Sequence, residues 1–404
     1  MPHLRDLFLL RPEVIYLNHG SFGACPRPVF EEYQRWQLEL ERQPLEFLGR
    51  RFAALMKEAR RELAAFLNTG SENLIFVPNA TTGLNMVARS LRLQPGDEIL
   101  SNDHEYGAMH RMWEFICRRR GCRYICRSIP LPVESPGQFI ETLWQGVTPR
   151  TRALFLSHIT SPTALIFPVK EIARRARAEG ILTVIDGAHG PGQIEVDLEA
   201  SGADFYAGNC HKWLMSPKGA AFLYARPECQ EMIDPLVVSW GDKSLPGSSR
   251  FIQEHEFQGS RDIAAYLSVP AAIRFRREHH WPEVQRRCHE LALLAYREVP
   301  RITGLPSLSP PPDPGTPGWF YQMVAFPLPP CDGEALQKRL YEEFRVEIPV
   351  FEHQGRSLVR ISVQGYNTRE DVEAFLEALG CIEHGAERKV QDAKREKQVT
   401  NDLV

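Results

Sequence analysis

The chain has 404 residues, 43% of them apolar and 25% charged, which excludes a disordered or fibrous protein and leaves room for two domains with a large core. Its 48 basic and 51 acidic residues give a net charge of −3, so no global field draws it to nucleic acid or to an anionic membrane. The first stretch, "MPHLRDLFLLRPEV", is too short and too charged for a secretory segment, and no apolar run reaches the roughly 18 residues of a membrane span.

Helical spacing dominates from Arg27 to Leu67, where Phe30, Tyr33, Trp36 and Leu40, then Phe52, Leu55, Leu63 and Phe66, recur at three- and four-residue intervals. "NLIFV" (73–77) then reads as a short buried strand. "TTGLNMVARSL" (81–91) reads as a helix opened by threonines, and "QPGDEIL" (94–100) as a turn into a strand. In "CRRRGCRYIC" (117–126) no histidine or second cysteine pair follows at ligand spacing, so buried thiols are expected rather than a metal loop. All nine cysteines are scattered in this way, which fits reduced thiols in the cytoplasm.

The βα rhythm continues through "RALFLSH" (152–158), a helix over 169–178, "ILTVID" (181–186), "ADFYAGN" (203–209) and "GAAFLYA" (219–225). Such alternation predicts a mostly parallel sheet covered on both faces, with ligands beyond the carboxyl ends of its strands. A charged helical pattern runs from Ala265 to Tyr296, and six prolines follow between Pro306 and Pro317, marking a loop or hinge. Strands near 320–326 and 357–363, with helices near 333–344 and 368–379, predict a small α+β unit. The division expected is 1–25 as a segment lining the site, 26–265 as the large α/β domain, 266–385 as the small α+β domain, and 386–404 as a polar tail.

Two groups fall at the strand ends. Asp186 closes "ILTVID", and Lys212 follows the next strand within "GNCHKWL", bracketed by Trp213, Leu214 and Met215. A structural salt bridge is the plain alternative. Two further stretches argue against it. "PNATTGLN" (78–85) offers the hydroxyls and helix-start N–H groups of Thr81 and Thr82 to a phosphate, and "NDHEYGAMH" (102–110) offers His104 and Tyr106 as flat rings. Together these make a holder for pyridoxal phosphate: an amine to bind it covalently, an acid for its ring nitrogen, a phosphate cup and a stacking ring, filled by Lys212, Asp186, Thr81 with Thr82, and His104. Apolar neighbours suit the lysine, because desolvation favours the neutral nucleophile.

"LNHGSFG", "DGAHGPG", "GNCHKWL", "FQGSRD" and "RISVQGYNTREDV" resemble the class V aminotransferase family of fold-type I pyridoxal-phosphate enzymes, and within it the isopenicillin N epimerase-like subgroup. The likeness spans nearly the whole chain. It implies a fold-type I architecture, Lys212 as the covalent lysine and Asp186 as the partner of the ring nitrogen. It also implies His189 on the phenolic-oxygen side, His104 stacked on the ring, and Thr81, Thr82, Asn209 and His211 around the phosphate. Gly259 and Ser260 are expected to reach the phosphate of a neighbouring subunit in a homodimer whose site lies at the interface. Family members often carry glycine where Ala164 stands in "SPTALIFP", and threonine in place of Ser260.

In "SLVRISVQ", alternation sets Arg360 and Ser362 opposite Val359, Ile361 and Val363, so the guanidinium leaves the apolar layer and suits a bidentate grip on an α-carboxylate. Asn18 and His19 are expected to line the substrate pocket. Removal of an α-proton opens epimerisation, aminotransfer or β-elimination, and these residues do not choose among them. No cysteine lies between Cys331 and Cys381, which argues against a persulfide-forming desulfurase, while a carbon–sulfur lyase stays open. A non-catalytic cofactor-binding regulator is the alternative of another class; against it, every catalytic post is filled and no DNA-reading segment is fused to the chain. No nucleotide-binding, zinc-protease or nucleophile-elbow motif occurs.

Overall fold

A computed structural model describes residues 4–241, 245, 247–313 and 318–383; the tail at 386–404 and part of the proline segment lie outside them. The chain enters through a two-residue strand, β1 (Ile15–Tyr16), and a short helical turn at His19–Phe22. The helical stretch that follows is divided into Arg27–Arg42 and Phe52–Phe66, with a π-helical turn at Glu46–Arg51 between them. Pro44 explains the break, since the proline ring keeps Gln43 before it out of the helical region, at φ −152° and ψ 74°.

The central sheet has seven strands: β2 (Leu74–Val77), β3 (Glu98–Asn102), β4 (Arg123–Arg127), β5 (Thr151–Ser157), β6 (Leu182–Gly187), β7 (Phe205–Asn209) and β8 (Ala221–Ala225). Their order is β2-β8-β7-β6-β5-β3-β4. β8 runs antiparallel to both neighbours, and every other pair is parallel. Strands β2, β7 and β8 are buried along their whole length, as their unbroken apolar runs require between two helical layers. β4 was not legible in the sequence. It is an edge strand, partly exposed, whose Arg123 and Arg127 discourage pairing with another chain. Gly121, at φ +70°, ends the preceding helix so that the strand can begin, and Cys117 and Cys122 are buried there while Cys126 is exposed.

The expected long helix after Ala265 is interrupted. Helices Val269–Glu278 and Trp281–Thr303 are separated at His280, whose φ is 49°, and Pro282 stands in the first turn of the second, where its missing N–H costs nothing. The remaining strands are β9 (Met323–Pro327), β10 (Val346–Glu347), β11 (Val350–His353) and β12 (Arg356–Ser362). β11, β12 and β9 form an antiparallel sheet, backed by helices at Gly333–Phe344 and 369–383. β10 pairs in parallel with β1, and Ser362 N–H donates to the Leu17 carbonyl, so the chain's first strand is stitched into its last elements. Among the described residues no helix is long and apolar enough to cross a membrane.

Candidate active site

The turns after β2, β3, β5, β6 and β7 leave the same edge of the sheet, where parallel strands present backbone and short side chains to a ligand. Asp186 sits at the end of β6, 5% exposed, with one carboxylate oxygen accepting the Ala188 N–H at 2.9 Å. Burial raises its pKa, and the Ala188 N–H and the Lys212 charge pull it back. Lys212 follows β7. Burial, with the Arg360 charge behind it, pushes its amine down to about 7, while Asp186 opposes the shift. Its Nζ lies 3.1 Å from His189 Nε2, and His189 Nδ1 accepts the indole N–H of Trp213 at 3.2 Å. Lys212, Asp186 and His189 thus form one electrostatic group.

Arg360 joins them from β12. It is 4% exposed, and burial lowers its pKa to about 10. One nitrogen donates to the Ser161 carbonyl at 2.6 Å and to its hydroxyl at 3.1 Å, another to the Ser21 hydroxyl at 3.2 Å, and Nε is buried without a partner. No carboxylate of the described residues pairs with it, so its charge is left for a ligand rather than spent on a protein ion pair. Its positive charge reaches both Lys212 and His189.

The N-terminal loop packs under this cluster. Asn18 accepts the Ser21 hydroxyl at 2.5 Å. His19 is fully buried, its Nδ1 against the Tyr366 hydroxyl and its Nε2 against the Lys212 carbonyl, both at 3.0 Å. With both nitrogens engaged, its place is beneath the lysine backbone rather than on a pocket wall, and burial takes its pKa down to about 3. Gly23 shows why the loop needs glycine: its φ is +71°, and a Cβ there would lie 2.1 Å from the His211 carbonyl oxygen.

The phosphate residues are arranged differently from the sequence expectation. The helix after β2 begins at Ala80, capped by Asn79, whose side chain accepts both the N–H of Thr82 at 2.8 Å and its hydroxyl at 3.1 Å. Thr82 is therefore occupied by the cap, while Thr81 is exposed at the first turn. Asn209 Oδ1 accepts the Ala80 N–H at 2.9 Å, tying the end of β7 to this helix start and leaving its amide N–H₂ as the donor. His211 Nδ1 donates to the Ala220 carbonyl at 3.0 Å, and burial moves its pKa down to about 4. Gly259 and Ser260 stand apart in an open turn, with Ser260 exposed and no atom within 4 Å of a Cβ on Gly259.

The ring expected to stack is not free to do so. His104 is 0% exposed, with Nδ1 at 2.9 Å from the Thr163 hydroxyl and Nε2 at 3.0 Å from the Ile129 carbonyl. Its neighbour Tyr106, 48% exposed at the start of helix Gly107–Arg120, presents the open ring. Between them Glu105 is buried. It accepts the Ser157 hydroxyl at 2.5 Å, the Ser157 N–H at 3.0 Å and the Asn102 amide at 2.6 Å, and burial with the nearby Asp186 charge raises its pKa to about 8. Sequence reasoning passed over Glu105, Trp213, Ser161 and Tyr366. All four lay inside stretches singled out for their neighbours, and their contacts are with residues distant in the chain.

A family profile described as "Aminotransferase class-V" matches residues 21–375. The chain is 37% identical to the isopenicillin N epimerase of Amycolatopsis lactamdurans over 93% of this chain and 96% of that one. It is 29% identical to a probable chloroplastic L-cysteine desulfhydrase of Arabidopsis thaliana, over 93% and 84% respectively. The fold matches a cysteine desulfurase from Thermococcus onnurineus with a TM-score of 0.80 at 22% identity, over 95% of this chain and 98% of that one. With a profile match over most of its length and relatives aligned nearly end to end, the chain belongs to the class V aminotransferase family and is a pyridoxal 5'-phosphate-dependent enzyme of fold type I.

Proposed function

We propose that the enzyme works at the α-carbon of an amino acid or amino-acid-derived substrate whose carboxylate is held by Arg360, with epimerisation or aminotransfer as the outcome. The observation that carries this reading is a 4% exposed guanidinium that has no carboxylate partner among the described residues and whose field acts on a lysine amine. The residues fit the cofactor by the same reasoning: a buried amine without an ion-pair partner of its own, a buried carboxylate, an orphaned Arg360 Nε and an exposed helix start at Thr81.

Pyridoxal phosphate, when bound, supplies the electron sink for the charge left by the departing α-proton. Lys212 would tether it and then take up and return the proton at the α-carbon. Asp186 would partner its ring nitrogen and favour the cationic form. His189 would serve its phenolic oxygen, and Tyr106 would take the stacking role that the enclosed His104 does not fill. Thr81, the free amide of Asn209, and His211 would hold its phosphate, with Thr82 serving through the cap. Asn18 and His19 support the carboxylate side from below.

Gly259 and Ser260 serve the partner's site in a homodimer. The exposed apolar side chains of Leu38 and Leu45, 60% and 70% accessible, support such an assembly, and reduced thiols throughout support a cytoplasmic setting. β-Elimination of a sulfur substituent is the second reading, favoured by the desulfhydrase relative.

The test is incubation of the enzyme with a panel of L-amino acids, small peptides and thiol conjugates in deuterated water. Deuterium uptake with inverted product supports epimerisation, a keto acid supports aminotransfer, and pyruvate with sulfide supports elimination. Absence of α-deuteration with every carboxylate-bearing candidate, in enzyme carrying its cofactor on Lys212, would sink the proposal.

A further inference from the structure

We propose that Trp213 is a positioning residue that fixes His189 as its Nε2–H tautomer, so that the imidazole donates to Lys212 and can pair only with the neutral amine. This deepens the reading of Lys212 as the nucleophile and rests on it.

The argument is one of proton bookkeeping. An indole nitrogen is a donor and never an acceptor. Because Trp213 Nε1 points at His189 Nδ1 at 3.2 Å, that ring nitrogen offers a lone pair and bears no proton. In a neutral imidazole the proton then sits on Nε2, 3.1 Å from Lys212 Nζ. An N–H there needs a lone pair opposite, which an ammonium lacks and a free amine has. The reverse arrangement, with ammonium donating to Nε2, would leave both ring nitrogens unprotonated, an imidazolate.

An imidazolium is excluded from the other side, because Nδ1 is already an acceptor. Burial, with the Arg360 charge behind it, also holds the His189 pKa well below its ordinary value. Lys212 itself faces Arg360, which favours the neutral amine, and Asp186, which opposes it.

The indole cannot turn away. Trp213 is 0% exposed, its carbonyl accepts an Arg276 nitrogen at 3.0 Å, and its ring lies 5.0 Å from that of His19. A Cβ at Gly192 would come within 2.4 Å of the Trp213 carbonyl carbon, so backbone closes that side. The histidine is held from behind by Gln193, whose amide donates to the His189 carbonyl at 3.1 Å. Trp213→Phe keeps an aromatic ring in the pocket, and removes the N–H together with part of the indole, so the fully buried site is left with a small cavity. His189 is then free to carry its proton on Nδ1 and accept from an ammonium at Nε2, which favours the charged lysine.

The experiment uses the full-length chain freed of cofactor, with wild type and Trp213→Phe compared by circular dichroism to establish that both are folded. Histidine ¹⁵N NMR reports the tautomer, and reductive methylation of Lys212 across pH, read by mass spectrometry, reports the amine. The expected results are an unprotonated Nδ1 on His189 in wild type, and a labelling midpoint displaced upward by about one pH unit in Trp213→Phe. A protonated Nδ1 in wild type, or equal midpoints in the two proteins, would overturn the inference; the wild-type spectrum decides even where the variant does not fold. Borohydride reduction after adding pyridoxal phosphate separates the two levels. An adduct at another lysine defeats the reading of the site, whereas an adduct at Lys212 with unmoved midpoints defeats only the role of Trp213.

Discussion

Arg360 donates 2.6 Å to the carbonyl of Ser161 and 3.1 Å to its hydroxyl, a neutral pairing for a guanidinium buried at the mouth of the site. Neutral partners leave the charge itself uncompensated, and an uncompensated buried charge is a liability to the fold. Arg360→Met is therefore expected to change folding stability by less than about 1 kcal/mol, because relief of the charge offsets the lost hydrogen bonds. The same change should raise KM for carboxylate substrates by roughly 10²-fold. Denaturant titration beside steady-state kinetics checks both; a large loss of stability with unchanged KM would place the arginine in the framework instead.

Asp186 is expected to matter to turnover far more than to retention of the cofactor. Asp186→Ala leaves the covalent lysine and the helix start untouched and removes the anion that favours a cationic ring nitrogen. The loss in kcat should be on the order of 10²–10⁴, with visible cofactor absorbance partly kept. Near-normal kcat in a variant that is still yellow contradicts the assignment.

The lysine makes a prediction about pH in the cofactor-free protein. Its pKa is lowered in the fold to about 7 from the ordinary 10.5, so between those values the native chain binds fewer protons than the unfolded one. Stability contributed at this position accordingly rises with pH through that window, and the penalty of the buried ammonium is full below it. Lys212→Met should be more stable than wild type below about pH 7, with the gap closing toward about pH 10. Thermal melts of the two proteins across pH decide it; a gap independent of pH would mean that the amine titrates normally.

Ala164 occupies a left-handed conformation at φ +59° with its side chain fully buried. The left-handed region costs a residue with a Cβ about 1–2 kcal/mol, and burial of the methyl returns about 0.8. Ala164→Gly should thus lie within about 1 kcal/mol of wild type, while Ala164→Val, β-branched in the same conformation, should lose more than about 2 kcal/mol. Chemical denaturation of both variants measures the difference.

What the sequence disclosed follows from how local each signal is. Unbroken apolar runs such as "LIFV" and "AFLYA" announced buried strands because burial on both faces leaves no alternation. Lys212 and Asp186 stood out because charged groups are rare at the ends of such runs. The edge strand β4 was hidden by its arginines, whose presence is what an exposed edge requires. His104 was misjudged for a different reason: a histidine and a tyrosine two residues apart look equally able to stack, and only packing decides that one faces Thr163 and Ile129 while the other stays open. Trp213 read as an apolar bracket because its N–H finds a partner 24 residues away in the chain. Arg360 was placed on the correct strand, but its lack of a counter-ion is a statement about every carboxylate around it, and no single stretch contains that information.

The contact of His19 with Tyr366 spans 347 positions of the chain. Its other ring nitrogen reaches the Lys212 carbonyl, so the brace on the reactive lysine closes only once residues 19, 212 and 366 have met, a contact of high sequence separation that local folding alone does not supply.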